Sequence, residues 1–247
     1  MVDTAQRTPR WGNEARDRKA LAIWRTLEHC CGPEVADGRW LDVGCGSGGI
    51  AAALAGSVRQ IHGIDPEAWP SWQDAMSRHA NLSLYVGVFD CELPPVPDAS
   101  FDVVVCNQVY EHVGNPLALL RNIHRVLKPT GVCYFAGPNL LWPIEPHVFW
   151  PFVHWMPRAQ ALRLMKVLGS RRCLDLDAYS VSSWRLNAWF EQAGLKPRNA
   201  IPDRMLVSEG EGAMDVLARI IGKLPRCVHQ LLVPISPAFV YVLSKKV

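Results

Sequence analysis

The chain has 247 residues, of which 49% are hydrophobic and 20% are charged, and its mean hydropathy is +0.02. This composition excludes a disordered chain and fits one folded domain, residues 1–247, with a full-sized core. A net charge of +3 without a long basic stripe argues against nucleic-acid binding. No apolar run reaches the ~18–20 residues of a membrane-spanning helix.

The cysteines and the N-terminal residues bear on the compartment. Eight cysteines are present, and no two have the Cys-x-x-Cys spacing of zinc knuckles or thioredoxin-like sites. The first residues are polar and charged rather than an apolar signal segment. We therefore expect a reducing, cytoplasmic location.

Residues 1–35 are predicted to form an N-terminal helical arm, with a loose start at residues 1–12. Apolar side chains recur at helical spacing from residue 14 to residue 31, and Gly32 and Pro33 end the helix. Strands and helices then alternate, and a helix opened by Ser182 or Ser183 separates the last strands. The predicted strands are residues 39–43, 60–64, 82–89, 101–106, 132–136, 196–202 and 239–243. This alternation predicts a doubly wound, mostly parallel seven-stranded sheet with helices on both faces.

The first motif is Leu-Asp-Val-Gly-Cys-Gly-Ser-Gly-Gly at residues 41–49, where a strand runs through a glycine turn into a helix. Glycines let the backbone approach a ligand, and the helix N-terminus offers unpaired N–H groups. The spacing is Gly-x-Gly-x-Gly, with Asp42 two positions before the first glycine, rather than the Gly-x-Gly-x-x-Gly of dinucleotide-binding folds.

Three further motifs follow in order. Asp65-Pro66 ends the second strand, where a carboxylate can accept both hydroxyls of a ribose; capping of the next helix is the alternative. Residues 87–94 carry two acids beyond the third strand. Residues 101–113 combine an apolar strand with Glu111-His112, and a helix then ends in Arg-Val-Leu-Lys-Pro-Thr-Gly at residues 125–131.

Together these motifs resemble the class I S-adenosylmethionine-dependent methyltransferases, in their small-molecule (type 11-like) branch. The resemblance covers about residues 36–138 and is weaker over residues 182–200; Pro-Thr-Gly stands where Pro-Gly-Gly is usual. It implies a Rossmann-like fold with an antiparallel last strand and S-adenosyl-L-methionine as the cofactor.

The resemblance also implies roles for individual residues. Asp42 would orient the amino group of the cofactor, and Asp65 with Pro66 would bind its ribose. Asp90 would bind the adenine amino group and the N–H of Cys91 a ring nitrogen, but this segment is one residue short, so Glu92 is an alternative. The turn residues would pack on the methionine and ribose, and the residues ending the fourth strand would border cofactor and acceptor: Gly44, Cys45, Gly46 and Gly48, then Asn107 and Gln108.

Three histidines are candidate catalytic residues. His112 is either a general base or a packing residue at a strand–helix corner. His147 and His154 lie in a proline- and aromatic-rich insertion, residues 138–180, which is predicted to form a lid over the acceptor site or a small accessory core. The spacing of Glu145, His147 and His154 is not that of a zinc-protease helix, so no metal is expected there.

The function predicted from these observations is methyl transfer to a small-molecule or lipid-linked acceptor, with oxygen marginally favoured as the methylated atom. The alternatives are a nucleotide-dependent oxidoreductase, a nucleic-acid methyltransferase, and a non-catalytic cofactor-binding partner or regulatory subunit. Residues 211–232 combine apolar and basic side chains; they either cover the sheet or make a peripheral membrane contact.

Overall fold

The computed structural model describes residues 13–91, 96–170, 179–210 and 212–246. Its centre is a seven-stranded sheet of order β3-β2-β1-β4-β5-β9-β8. Strands β1 to β5 pair in parallel, and β9 pairs antiparallel with both β5 and β8. The predicted fold class is therefore confirmed, including the antiparallel last strand. The strands are β1 Arg39–Val43, β2 Gln60–Asp65, β3 Leu82–Val86, β4 Phe101–Asn107, β5 Leu127–Pro138, β8 Leu195–Asn199 and β9 Ala238–Lys245.

Helices cover both faces of the sheet because each presents an apolar stripe to it. One core contains Leu119, Leu120 and Ile123 of α4 with Leu186 and Phe190 of α6. The other core is built on the opposite face by residues of α1, α2 and α3. The helices are α1 Asn13–Cys31, α2 Gly49–Ala55, α3 Ser71–Arg78, α4 Pro116–Val126, α5 Arg158–Val167, α6 Ser183–Gln192, α7 Ile201–Leu206, α8 Ala213–Gly222 and α9 Arg226–Leu232.

Two predicted strands end earlier than the sequence pattern suggests. The third strand ends at Val86 rather than residue 89, and the sixth ends at Asn199 rather than residue 202. The side-chain oxygen of Asn199 accepts a hydrogen bond from the Ile201 N–H (3.0 Å), which turns the chain into α7. Short helices α3 and α7 were not predicted, since neither is long enough to show a clear helical period.

The insertion packs partly on itself. A short hairpin pairs β6 (Ile144–Glu145) with β7 (Trp150–Pro151), and α5 follows. Val148, Val153, Ala161 and Met165 form a small separate core, while several large side chains face solvent, among them Phe149, Phe152 and Trp155. Residues 171–178 of the predicted lid lie outside the described residues, as do residues 1–12 of the predicted arm.

Helix α8 packs against α7 rather than directly on the sheet. Gly222 is its one buried residue, whereas Met214, Val216, Leu217 and Ile220 are all exposed. Within the described part of the chain, every helix is too short or too polar to cross a membrane.

Candidate active site

The glycine turn after β1 is shaped for a ligand. Gly44, Gly46 and Gly48 all have positive φ (68°, 51° and 77°), a backbone conformation that residues with a Cβ rarely adopt. A Cβ on Gly44 would lie 2.7 Å from Val109, and one on Gly48 would lie 2.7 Å from Leu84. At Gly46, however, no atom lies within 4 Å of the Cβ position. The turn is therefore packed at its two ends and open in its middle.

Helix α3 fastens this turn from behind. The indole N–H of Trp72 donates to the carbonyl of Gly46 (2.8 Å), and the Ser71 hydroxyl donates to the carbonyl of Ser47 (2.7 Å). Both carbonyls are thereby satisfied on the protein side, which leaves the open face of the turn to a ligand. The sequence interpretation missed these residues; the signal was a Ser-Trp pair opening a helix after the second strand.

Asp42 holds a buried carboxylate beneath the turn. Its side chain is 3% exposed, and Oδ2 has no hydrogen-bond partner among the described residues. Burial, and then the nearby charge of Asp65, raise the pKa of Asp42 to about 8. A buried acceptor without a donor is costly, so the site fits a ligand that brings a positively charged donor, as the amino group of S-adenosylmethionine does.

Replacing Asp42 with asparagine should change the pH dependence of stability. Because the folded-state pKa lies above the unfolded value, the folded chain holds one more proton between about pH 4 and pH 8. Stability is therefore lost as pH rises through this window, by about 1.4 kcal/mol per pH unit. We expect the melting temperature of Asp42→Asn to rise relative to that of wild type as the pH increases from 5 to 8. A constant difference across this range would contradict the assignment.

Asp65 ends β2 beside the turn. Its Oδ2 accepts the N–H of Gly46 (2.8 Å), and its Oδ1 accepts the N–H of Glu67 (3.2 Å). The backbone thus fixes both carboxylate oxygens, and each retains a lone pair for a further donor. Pro66, the residue after Asp65, is exposed.

Asp90 lies beyond the end of β3, which pairs with β2 so that Val86 is opposite Asp65. Oδ2 of Asp90 accepts the N–H of Asn115 (3.2 Å), at the start of α4. The buried amide of Asn122 donates to the carbonyls of Phe89 (3.0 Å) and Cys91 (2.7 Å), and so holds this loop. Glu92, the alternative to Asp90, lies outside the described residues.

Asn122 was not identified from the sequence. Its signal is a polar residue on the otherwise apolar inner face of α4, beside Ile123. A buried amide needs partners; here its oxygen accepts from Arg125 (3.3 Å), and both acceptors of its NH₂ group lie in the loop that carries Asp90 and Cys91. The loop is therefore positioned by α4.

A cavity of about 370 Å³ opens beyond the end of β4. Asn107 and Gln108 line it from the strand end, and α1 contributes Arg16 and Lys19. Burial first, and then the charges of Arg204 and Arg16, lower the pKa of Lys19. A smaller cavity of about 130 Å³ shares Lys19, Asn107 and Gln108. The remaining lining residues of the larger cavity are Ile50, His112, Pro146 and His147.

His147 is held by a carboxylate. Its Nδ1 lies 2.7 Å from Oε1 of Glu145, and its Nε2 lies 3.9 Å from Oε1 of the buried Glu111. The rings of His112 and His147 meet edge to face at 5.2 Å. Burial alone would raise the pKa of Glu145, but hydrogen bonds from the His147 ring and from the N–H groups of Val148 and His147 outweigh it and hold that pKa low. Glu145 therefore stays ionised and orients the imidazole.

His154 has a different environment. Its Nε2 lies 2.8 Å from the carbonyl of Trp142 and 3.0 Å from that of Leu140, so the ring ties the insertion together. His154 is not among the residues that line either cavity. These contacts support a structural role for His154, in contrast to its prediction as a catalytic residue.

Comparison with known proteins agrees with this geometry. The methyltransferase domain family matches residues 14–199. A "Probable S-adenosylmethionine-dependent methyltransferase" of Mycolicibacterium smegmatis is 36% identical over 129 residues, which is 49% of this chain and 45% of that protein. The ubiquinone biosynthesis O-methyltransferase of Pseudomonas aeruginosa is 29% identical over 173 residues, 65% of this chain and 66% of that protein. The matches thus span about half to two thirds of these curated relatives.

Solved structures share the fold. The Burkholderia thailandensis 1,6-didemethyltoxoflavin-N1-methyltransferase, bound to S-adenosylhomocysteine, superposes with a TM-score of 0.55 at 17% identity, over 95% of this chain and 80% of that one. The [4+2]-cyclase SpnF gives a TM-score of 0.56 at 21% identity, over 98% and 86%. The fold by itself therefore accompanies more than one chemistry, and the family match together with the cofactor-site residues identifies the chain. The chain belongs to the class I S-adenosylmethionine-dependent methyltransferases.

Proposed function

We propose that the chain transfers a methyl group from S-adenosylmethionine to a hydroxyl of a small or lipid-like acceptor. The observation that carries this proposal is the cavity beyond β4, which opens between Asn107 and Gln108 on one side and His147 of the insertion on the other. A volume of about 370 Å³ suits a small organic molecule. The relatives named as O-methyltransferases support oxygen as the methylated atom.

The cofactor, when bound, supplies a methyl group that is already activated on a positively charged sulfur. The protein must then orient the acceptor and exclude water. Asp42 and Asp65 anchor the donor side, while the cavity residues hold the acceptor. Transfer forms an oxygen–carbon bond as the carbon–sulfur bond breaks, and the hydroxyl proton must leave.

Activation of the hydroxyl is assigned to the histidine pair at the cavity wall. His112 and His147 line the cavity. In the tautomer with its hydrogen on Nδ1, His147 donates to Glu145, and Nε2, which faces Glu111, is the basic nitrogen. The insertion that supplies Pro146 and His147 acts as one wall of the acceptor site.

The seven described cysteines are free thiols, in keeping with a reducing cytoplasm.

A lipid-like acceptor is further supported by the surface of α8. Met214, Leu217 and Ile220 are exposed on this helix, which also carries Arg219 and is followed directly by Lys223. Exposed apolar side chains with basic neighbours are complementary to an anionic lipid surface. Residues 211–232 would then hold the protein at the membrane while the acceptor enters.

A matched acceptor panel tests the reaction and the lipid surface together. The panel is para-decylphenol, para-decylaniline and para-decylthiophenol, with para-cresol as the short member, each offered in phosphatidylglycerol or phosphatidylcholine vesicles. Mass spectrometry would identify the methylated product. We expect transfer to the phenol oxygen, faster from phosphatidylglycerol, with this advantage lost in Ile220→Glu.

Other outcomes would contradict the proposal. Transfer to the aniline or thiophenol alone would move the methylated atom to nitrogen or sulfur. Tight cofactor binding without turnover of any member would favour the non-catalytic alternative, a cofactor-binding partner or regulator. Equal rates from the two vesicle types would contradict the proposed membrane contact but not the proposed methyl transfer.

A further inference from the structure

Three potential metal ligands converge at the wall of the acceptor cavity. Glu111 and His112 come from the turn after β4, and His147 comes from the insertion. One ligand atom from each residue lies within 4.8 Å of the other two. Glu111 is buried, His147 half-buried and His112 exposed, so the group lies between the core and the cavity. The interpretation of the sequence considered only Glu145, His147 and His154, which do not meet in this way.

The turn that carries Glu111 and His112 is firmly held. Tyr110 is buried, stacks on Phe135 at 5.6 Å and donates its hydroxyl hydrogen to the carbonyl of Pro138. The N–H of His112 donates to the carbonyl of Val109 (2.9 Å). These contacts fix the backbone from which both side chains project.

The third group has the support that metal-binding histidines have. Metal-ligating histidines donate their second ring nitrogen to a carboxylate or carbonyl, which sets the tautomer and raises the basicity of the ligating nitrogen. Nδ1 of His147 makes this contact with Glu145 at 2.7 Å, and Nε2 is the ring nitrogen that faces Glu111 at 3.9 Å. Glu145 is itself fixed by the N–H groups of His147 and Val148, each at 2.7 Å.

We propose that Glu111, His112 and His147 bind one divalent transition-metal ion at the acceptor cavity, with Glu145 as the supporting carboxylate. Two imidazoles and one carboxylate suit zinc or cobalt better than magnesium or calcium, which prefer oxygen ligands. Three protein ligands and an open position are the arrangement of a catalytic ion rather than a structural one.

The three ligand atoms, now within 4.8 Å of one another, would move closer together around an ion. Ligand atoms about 2.1 Å from a tetrahedral ion lie about 3.4 Å from one another. Nε2 of His147 and Oε1 of Glu111 are 3.9 Å apart, so this pair would close by roughly half an ångström. Arg16 and Lys19 line the same cavity and oppose a cation, whereas the carboxylates of Glu111 and Glu145 attract it. The expected affinity is therefore below that of a closed structural site.

Its role in the reaction rests on the proposed function. With an ion bound, His112 and His147 would activate the hydroxyl through the ion rather than as bases. The ion's positive charge would lower the pKa of the acceptor hydroxyl, whose proton would pass to solvent before the oxygen attacks the methyl carbon. Ion binding itself needs neither S-adenosylmethionine nor an acceptor, and is measured separately from turnover.

The test is a titration of the chelator-treated full-length protein with cobalt, followed by visible spectroscopy, and with zinc, followed by calorimetry. We expect one equivalent of cobalt with a ligand-field band and without the sulfur-to-cobalt charge-transfer band that the free cysteines would give. His147→Ala should lose this equivalent, and Glu145→Gln should weaken zinc binding about 10–100-fold. His79→Ala, directly after α3 and outside the cluster, is the matched control and should bind as wild type does.

Three results would overturn the site: no cobalt bound by folded wild type, a charge-transfer band from sulfur, or unchanged binding by His147→Ala. Thermal melting of each variant separates lost binding from lost folding. Glu111→Gln should also lose the bound ion; if this variant does not fold, His112→Asn replaces it, because His112 is exposed. Intact ion binding without turnover on the acceptor panel would refute the proposed function and leave the metal site standing.

Discussion

Asp65→Asn is expected to weaken S-adenosylmethionine binding by about 100-fold or more, because hydrogen bonds to a charged group contribute about 1.5–3 kcal/mol each. The Asp65 carboxylate is preorganised by the N–H groups of Gly46 and Glu67, and each oxygen can accept one ribose hydroxyl. Asparagine retains one acceptor oxygen, but its NH₂ group would face a backbone N–H and could not accept a hydrogen bond from it. Calorimetric titration measures the affinity directly.

The ribose assignment also predicts a second result for this variant. S-adenosylhomocysteine contains the same ribose, so its affinity should fall by a similar factor. Asp74→Asn is the control, since this exposed carboxylate on α3 pairs with Arg78 and lies outside the site. If Asp65→Asn is folded and binds both ligands as wild type does, Asp65 has only a structural role, as the acceptor for the N–H groups of Gly46 and Glu67.

His147→Ala is expected to lower kcat by about 10²–10⁴-fold, the usual contribution of a group that assists proton removal. The cofactor affinity should stay unchanged, because His147 lies on the insertion side of the cavity and the cofactor residues lie on the glycine turn, β2 and β3. The measurement is steady-state turnover on the acceptor that the panel identifies, with calorimetry for the cofactor.

The supporting carboxylate sharpens this prediction. Glu145→Gln should lower kcat less than His147→Ala does, since the imidazole remains and only its tautomer and orientation are loosened. His79→Ala should leave kcat unchanged. A wild-type kcat in His147→Ala would contradict the role of the histidine pair in activating the hydroxyl.

Much of the cofactor site could be predicted from the sequence because its information is local. The glycine turn follows directly on β1, and Asp65 ends β2. In a parallel sheet the strand ends meet at one edge, so acids at successive strand ends converge whatever the loops do. The loop after β3 is an exception, because spacing alone did not decide whether Asp90 or Glu92 binds the adenine amino group.

The acceptor side could not be predicted in this way. Its residues come from α1, the turn after β4 and the insertion, which are distant in sequence and have no shared period. The proline- and aromatic-rich segment predicts an apolar wall, yet Phe149, Phe152 and Trp155 are exposed and His147 lines the cavity. Which face of an irregular segment turns inward depends on long-range packing.

The sequence by itself determined the doubly wound sheet, its cofactor edge and the family, because strand periodicity, glycine spacing and strand-end acids are properties of short segments. Tertiary structure alone decided that His147 meets Glu111 and His112, that Lys19 of α1 enters the cavity, and that α8 keeps its apolar face exposed. These depend on contacts between segments far apart in the chain, whose free energies no local pattern encodes.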